Sequence, residues 1–325
     1  MIRDIGYLKI IKTGPATSVQ DNGRIGFAHF GVPVSGALDS RSFNWVNHLL
    51  QNKASDAVLE ICQPGLKIHF DAPTTICLAG ANSEIRLNGE MIPASGIQAI
   101  RINDQLEVGA FHHGSVLYLG IKNGFQSEKI MNSRSWYPGI TAAGFVKKGD
   151  QITYFTTQEL LGNTASKAKW SFSWAEEQLI EVYPGPEWDL LGHKNQELIE
   201  NMKFTISDLK NRMAIQLTEL LPNSLPEMAT APVFPGTVQL TSGGKLIVLM
   251  KDAQVTGGYA RILQISEEGI SILAQKQPRQ LIRFLVKKIL RIHKLSILTN
   301  KTKKFTCCLE ESNKAYYITL LHRTH

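Results

Sequence analysis

Between Gly65 and Leu119 short apolar runs alternate with turns: KIHF, TTICLAG, EIRLNGEMI, IQAIRI, DQLEVG and SVLYLG. Runs of that length, bounded by Gly, Asn and Asp, read as strands of a β meander. Asn88-Gly89, flanked by Ile85, Leu87 and Ile92, marks a two-residue hairpin, because both residues tolerate the left-handed backbone such a turn requires. One helix is expected ahead of the meander, with Asp39 or Ser40 as N-cap, Phe43, Val46, Leu49 and Leu50 at helical spacing, and Asn52 near its end.

Residues 151–178 are polar and mixed, and the boundary between two halves is placed there. Beyond it comes a strand, LIEVYPGP, then a helical stretch from Trp188 to Met202. Strand-like runs follow at Lys203–Ile206, Ala214–Leu217, Gly236–Leu240, Lys245–Met250 and Leu281–Val286. A helix with many short strands in each half suggests a mainly β protein of two related barrels. TSVQ near residue 18 and GTVQ near residue 237 echo one another faintly.

At 325 residues the chain is long enough for two ordinary cores. Its net charge of +7 lies wholly in residues 287–325, so the body is neutral and the tail basic. A basic excess confined to one terminal segment argues against nucleic-acid binding. In that tail Ile289, Leu290, Ile292, Leu295 and Leu298 make only a short apolar stripe broken by charges, against a membrane role. No run approaches the roughly 18 apolar residues of a membrane span, and MIRDIGYLKIIKTG lacks the apolar core of a leader, so a soluble cytoplasmic protein is expected. The cysteines, at 62, 77, 307 and 308, have neither CxxC spacing nor a secreted framework; Cys62 and Cys77 are expected as buried thiols, with no metal site.

Two polar constellations stand out. In Gly14–Asp39, residues Gly14, Pro15, Gly23, Gly26, Gly31, Pro33 and Gly36 shape a loop, around which Gln20, Asp21, Arg24, His29, Ser35 and Asp39 present an amide, two carboxylates, a guanidinium, an imidazole and a hydroxyl. That set suits a small polar ligand, or equally the capping of turns and of the next helix. The second follows the apolar strand Lys245–Met250: Asp252, Gln254, Thr256, Gly257, Gly258, Tyr259 and Arg261. Its glycines let backbone N–H groups approach an anion, and Arg261 offers a two-pronged contact; the plainer reading is a hairpin turn, a packed Tyr and an ion-paired Arg. His29 is the better general-base candidate, since His112-His113 has no metal-ligand spacing and is placed at a strand end. Glu60, in the strand-like VLEI, would need a partner such as an arginine if buried. Gly243-Gly244-Lys245 does not complete a phosphate loop, and Met250-Lys251 lacks the context of a biotin acceptor.

The blocks TSVQD, Gly23-Arg24, GVPVSG, Leu59-Glu60, Ser133-Arg134, YPGP, NRM, PGTVQ and LMKDAQVTGGYARI occur in an order that resembles the family of the 5-oxoprolinase C-type subunits, from about residue 7 to 286. Relatives there include kinase-inhibitor antagonists of bacilli and the carboxyltransferase region of urea amidolyases. The chain departs from the pattern at Ala260, at Ala214 and in the turn Pro278-Arg279-Gln280, where the family has proline, glycine and a PGD turn.

The resemblance implies two cyclophilin-like β-barrel domains, residues 1–165 and 166–286, followed by a tail, 287–325, outside the family fold. It implies one component of an ATP-dependent hydrolase that opens 5-oxo-L-proline to L-glutamate, inactive alone and joined by B-type and A-type subunits, with ATP and Mg2+ shared among them. Asp21, His29 or Asp252 would act as base. Arg24 or Arg261 would hold carboxylate or phosphate, and Gln20, Ser35, Asp39, Arg134, Arg212, Gln239 and the Gln254–Arg261 shelf would contribute to binding. Two other readings go with the family: a biotin-dependent carboxyltransferase, with biotin carried on another protein, and a non-enzymatic antagonist of a kinase inhibitor.

Overall fold

The computed structural model describes residues 4–157, 171–226 and 228–287, together with strand backbone at 298–299, 305–311 and 314–320. Residues 1–286 form one compact unit and 287–325 another.

The first half is a nine-stranded sheet. Its elements are β1 (Ile5–Lys12), β2 (Thr17–Gln20), α1 (Ser40–Leu49), β3 (Val58–Ile61), β4 (Leu66–Phe70), β5 (Thr74–Leu87), β6 (Glu90–Ile92), β7 (Gly96–Ile100), β8 (Gln105–Ile121) and β9 (Gln151–Phe155). The order is β2-β3-β8-β4-β1-β9, with β5 pairing β6, β7 and β8. Asn88 (φ 54°) and Gly89 (φ 89°) make the expected hairpin turn between β5 and β6.

Apolar runs expected as separate strands fuse into the 14-residue β5 and the 17-residue β8, so His112 and His113 lie inside a strand instead of at its end. Gln151–Phe155, which reads as part of a polar connector, instead pairs with β1. Asp39 caps α1 as expected, its carboxylate accepting from the N–H groups of Arg41 and Ser42.

The second half is a closed seven-stranded barrel, β10-β17-β14-β15-β12-β11-β18. Its elements are β10 (Leu179–Pro184), α2 (Gly192–Asn201), β11 (Phe204–Lys210), β12 (Ala214–Leu220), β13 (Ala231–Pro232), β14 (Thr237–Leu240), β15 (Lys245–Leu249), β16 (Thr256–Gly257), β17 (Ala260–Ile265), α3 (Glu267–Gln275) and β18 (Leu281–Val286). The chain is thus mainly β, as expected, with β2 and β14 carrying the echoed TSVQ and GTVQ.

Helix α3 is not evident from the sequence pattern. Ser266 caps it and Glu267 and Glu268 sit in its first turn, both ordinary start signals, but its body GISILAQ is buried all round and gives no helical stripe. That burial makes α3 the link between the halves. Ser40 of α1 meets Ser271 at 3.1 Å between hydroxyls, and Arg41 pairs with Glu268 at 2.7 Å. One apolar core runs from Phe43 and Val46 of α1 and Leu50 just beyond it through Ile270 and Leu273 into the barrel.

The turn Pro278-Arg279-Gln280 survives its departure from the family pattern, closed by Gln280 N–H to the Gln277 carbonyl at 3.2 Å, but it holds Arg279 at φ 71°. A side-chain-bearing residue there costs about 1–2 kcal/mol. Arg279→Gly should therefore raise stability by about 1 kcal/mol in urea unfolding, despite glycine's larger unfolded-state entropy.

The described part of 287–325 is a three-stranded sheet, β19 (Leu298–Thr299), β20 (Phe305–Glu311) and β21 (Lys314–Leu320). Residues 289–297, with most of the expected apolar stripe, lie outside the described residues.

Candidate functional site

Burying a carboxylate on a strand forces a partner upon it. Glu60, in the wholly buried β3, is fully excluded from solvent, and its partner is Arg212, from the turn between β11 and β12. Arg212 spreads its donors over both halves. Nη1 bonds Glu60, Nε and Nη2 hold the two oxygens of Asp252 at 2.7 and 2.8 Å, and Nη2 also reaches the Gly36 carbonyl at 2.8 Å. The other Glu60 oxygen accepts from Leu38 N–H at 2.8 Å and from the Tyr118 hydroxyl at 2.6 Å.

Burial works against the Arg212 charge, but Glu60 and Asp252 together raise its pKa. Tyr118 is held protonated well above its usual range by burial and by the charges of Glu60 and Asp39. Burial also raises Asp39, against the hydrogen bonds of Ser42 and Gln275.

This network forms one wall of a cavity of about 700 Å³ between the two sheets, lined by Arg212, Asp252, Lys210, Cys62 and Tyr137 over an apolar floor of Leu38, Val116 and Met250. Lys210 donates from Nζ to the Ala274 carbonyl at 2.7 Å and to that of Lys276, tying the end of α3 to β11. Burial pushes its amine down to about 7, with Cys62 opposing and Lys276 adding to the shift.

The unfolded chain, with a lysine pKa of about 10.4, binds the proton that the folded chain releases between about pH 7 and 10. Stability should therefore fall as pH drops through that window and rise with pH across it, and the rise should flatten in Lys210→Met. Urea midpoints at pH 7, 8.5 and 10 for both chains check this.

The glycine loop packs beside this wall. Asp21 does not present a free base. One oxygen accepts from Gly23 N–H, Ser133 Oγ and Ser135 Oγ at 2.6–2.8 Å, and the other from Arg134 N–H at 2.6 Å. Asp39 is likewise committed, to the α1 cap and to Gln275 at 2.8 Å, and Gln275 in turn clasps the backbone of Ser115 and Val116 on β8. His29 is exposed in a short 3-10 turn, its ring tilted by 42° against that of Phe30 with centroids 4.0 Å apart, and it does not join the network.

Arg134 is half-buried and bonds Gln126 at 2.9 Å. Gln20 is buried, bonding Ser18 and the Trp136 carbonyl through Nε2. Arg24 is buried with one side-chain bond, to the Ser135 carbonyl, and Ser35 is buried in the returning arm of the same loop.

The second constellation divides. Asp252 joins the cavity wall, whereas Gln254, Thr256, Gly258 and Tyr259 are exposed around the small β13–β16 pair. Gln239 is buried against Gly257, where a Cβ would lie 2.4 Å from its amide nitrogen, so a larger residue there would displace the Gln239 side chain. Arg261 is spent on Glu187 at 2.7 and 3.0 Å and on the Pro232 carbonyl at 2.9 Å. That is the ion-pair reading and leaves no fork for a ligand.

The sequence points to Asp252 and Arg212, and to an arginine for Glu60. It does not single out Tyr118, Lys210 or Tyr137. Only Tyr118, an aromatic hydroxyl inside the strand run SVLYLG, carries a signal.

Fold and site together define a mainly β protein with a charged cleft between a curled sheet and a closed barrel. Residues 30–286 match the family described as carboxyltransferase domain, subdomain A and B, and the chain belongs to that family. It is 30% identical to the C-type subunit of 5-oxoprolinase from Escherichia coli over 86% of this chain and 90% of that protein. Urea amidolyase of Saccharomyces cerevisiae is 24% identical over 86% of this chain but 16% of its own length. Among solved structures, TTHA0988 superposes with a TM-score of 0.77 at 22% identity, covering 87% of this chain and 57% of that one. Urea carboxylase of Kluyveromyces lactis superposes with 0.74 at 22% identity, over 95% of this chain and 33% of that one. These likenesses carry the fold.

Proposed function

We propose that this chain is the C-type subunit of an ATP-dependent 5-oxoprolinase, opening 5-oxo-L-proline to L-glutamate together with B- and A-type subunits in the cytoplasm. The observation that supports this reading is the cleft wall that Arg212 builds from Glu60 and Asp252, in a chain that spans 90% of a protein bearing that name. In the described residues no helix is long and apolar enough to cross a membrane.

A lactam resists water, and ATP, when bound, supplies the phosphoryl group that activates its carbonyl oxygen. The residues of this chain do not by themselves fit a magnesium triphosphate. Arg212 and Arg261 are both spent on carboxylates, and among the described residues no cluster of His, Cys, Asp and Glu is arranged to hold a metal. Nucleotide binding is therefore assigned mainly to the partner subunits.

This chain would exclude water with the apolar floor, hold the lactam between the sheets and offer Asp252, fixed by two donors, to orient the attacking water. Asp252→Asn keeps the side-chain shape while removing its charge. Turnover by the assembled complex should fall about 100-fold or more in a chain that still folds, although melting drops because the amide N–H2 faces an Arg212 donor. Turnover near that of the wild type would remove Asp252 from the chemistry.

The carboxyltransferase alternative, with biotin arriving on another protein, rests on the family description and on the urea amidolyase relatives. The higher identity to the oxoprolinase component favours the first reading.

A further inference from the structure

A buried guanidinium ordinarily spends its donors, because each N–H left bare inside a protein forfeits its hydration without recompense. The buried Arg212 follows that rule, and the partly exposed Arg261 is bonded likewise. Arg24 does not. It is 1% exposed, among the largest fully buried side chains, and among the described residues its side chain bonds only the Ser135 carbonyl, through Nη2, while Nε and Nη1 have no partner there.

Two further groups of the same loop share this condition. Ser35 is 1% exposed, and neither its hydroxyl nor Oε1 of the fully buried Gln20 has a partner among the described residues. Ser35 is also held at φ 55°, a conformation glycine would adopt without strain. The backbone brings these residues together: Arg24 N–H bonds the Val34 carbonyl at 2.6 Å, Ser35 N–H bonds the Lys251 carbonyl next to Asp252 at 2.9 Å, and Gln20 Nε2 bonds the Trp136 carbonyl, one residue from the carbonyl that holds Arg24. Asp21 does not discharge the guanidinium by contact, since its oxygens are filled by other donors.

We propose that the unspent N–H groups of Arg24 and the Ser35 hydroxyl form an oxyanion subsite beside the Asp252 wall, taking the carboxylate or phosphoryl oxygens of a small ligand. The inference deepens the oxoprolinase reading, on which the identity of its physiological ligand rests. It also selects among the arginines: the group that meets the oxyanion is the one with donors to give. Burial lowers the Arg24 pKa against the pull of Asp21 and Asp252, consistent with a cation short of a partner.

The test is an NMR titration of the full chain, following the Arg24 Nε–H resonance with formate in one arm and inorganic phosphate in the other. A saturable downfield shift is expected. Formate alone moving it assigns a carboxylate pocket, and phosphate alone a phosphoryl pocket. In Arg24→Gln, which lacks that resonance, the affinity read instead from the Ser35 backbone amide should weaken about 10- to 100-fold. Ser35→Gly should bind about 2- to 10-fold more weakly while melting about 2 °C higher or more, because it relieves the strained backbone.

That opposition of affinity and stability is what a purely structural serine would not show. No shift with either anion up to about 50 mM, the weak end of specific small-ion binding, or unchanged binding in a folded Ser35→Gly chain, overturns the subsite. The outcome separates from the larger reading. Oxyanion binding without any 5-oxoproline turnover by the complex would keep the subsite and sink the oxoprolinase assignment; turnover that ignores Ser35→Gly and Arg24→Lys would do the reverse.

Discussion

Arg212→Met should lower stability by about 3–5 kcal/mol, the largest loss expected from one side chain in this protein. Among the described residues the guanidinium is the sole ion-pair partner of both Glu60 and Asp252, each nearly or wholly excluded from water. Removing it leaves two uncompensated carboxylates facing one another across the seam of the two sheets. The penalty should not be a matter of lost volume, since methionine fills much of the same space.

The triple variant Glu60→Gln, Asp252→Asn, Arg212→Met tests that point, because neutralising both carboxylates should recover a substantial part of the loss. Urea unfolding monitored at one pH reads wild type, single variant and triple variant alike. A small effect of Arg212→Met alone would mean that the network is hydrated and its electrostatics are weak.

Gly36→Ala should cost about 2–4 kcal/mol, from a backbone held at φ 88° and from a Cβ placed 2.9 Å from Gly23 N and 3.0 Å from the Asp21 carbonyl. These contacts are backbone atoms, so no side-chain rotation relieves them. The neighbouring Gly31, at φ 77° with nothing within 4 Å of its Cβ position, isolates the conformational part; Gly31→Ala should cost only about 1 kcal/mol. The difference between the two midpoints measures how tightly the two arms of the loop are pressed together. The Gly36 carbonyl also accepts from Arg212, so the same alanine should disturb the cavity wall.

The parts of this fold legible in the sequence are those whose signal is local. Asn88-Gly89 gives the hairpin because its turn needs left-handed residues, and Asp39 gives the start of α1 because a cap is chosen by its nearest neighbours. Helix α3 is hidden because burial on every side erases the helical stripe, and Gln151–Phe155 is hidden because its strand partner, β1, lies far away in the chain.

The same division holds in the site. Residue chemistry marks Asp252, Arg212 and Arg24, but polar type alone does not say which arginine keeps free donors. Arg261 is partly exposed and finds Glu187, 74 positions away, where the buried Arg24 finds no carboxylate, and Asp21 has its oxygens filled by Ser133 and Ser135, 112 and 114 positions away, among other donors. Lys210 has no signal, since its lowered pKa comes from three-dimensional burial.

The most direct measurement mixes this chain with B- and A-type partner subunits and follows glutamate release from 5-oxo-L-proline, with and without ATP, omitting each component in turn. ATP-dependent glutamate that disappears when this chain is left out is the expected result. A well-folded three-part complex that releases no glutamate, or one that releases it equally well without this chain, would contradict the assignment.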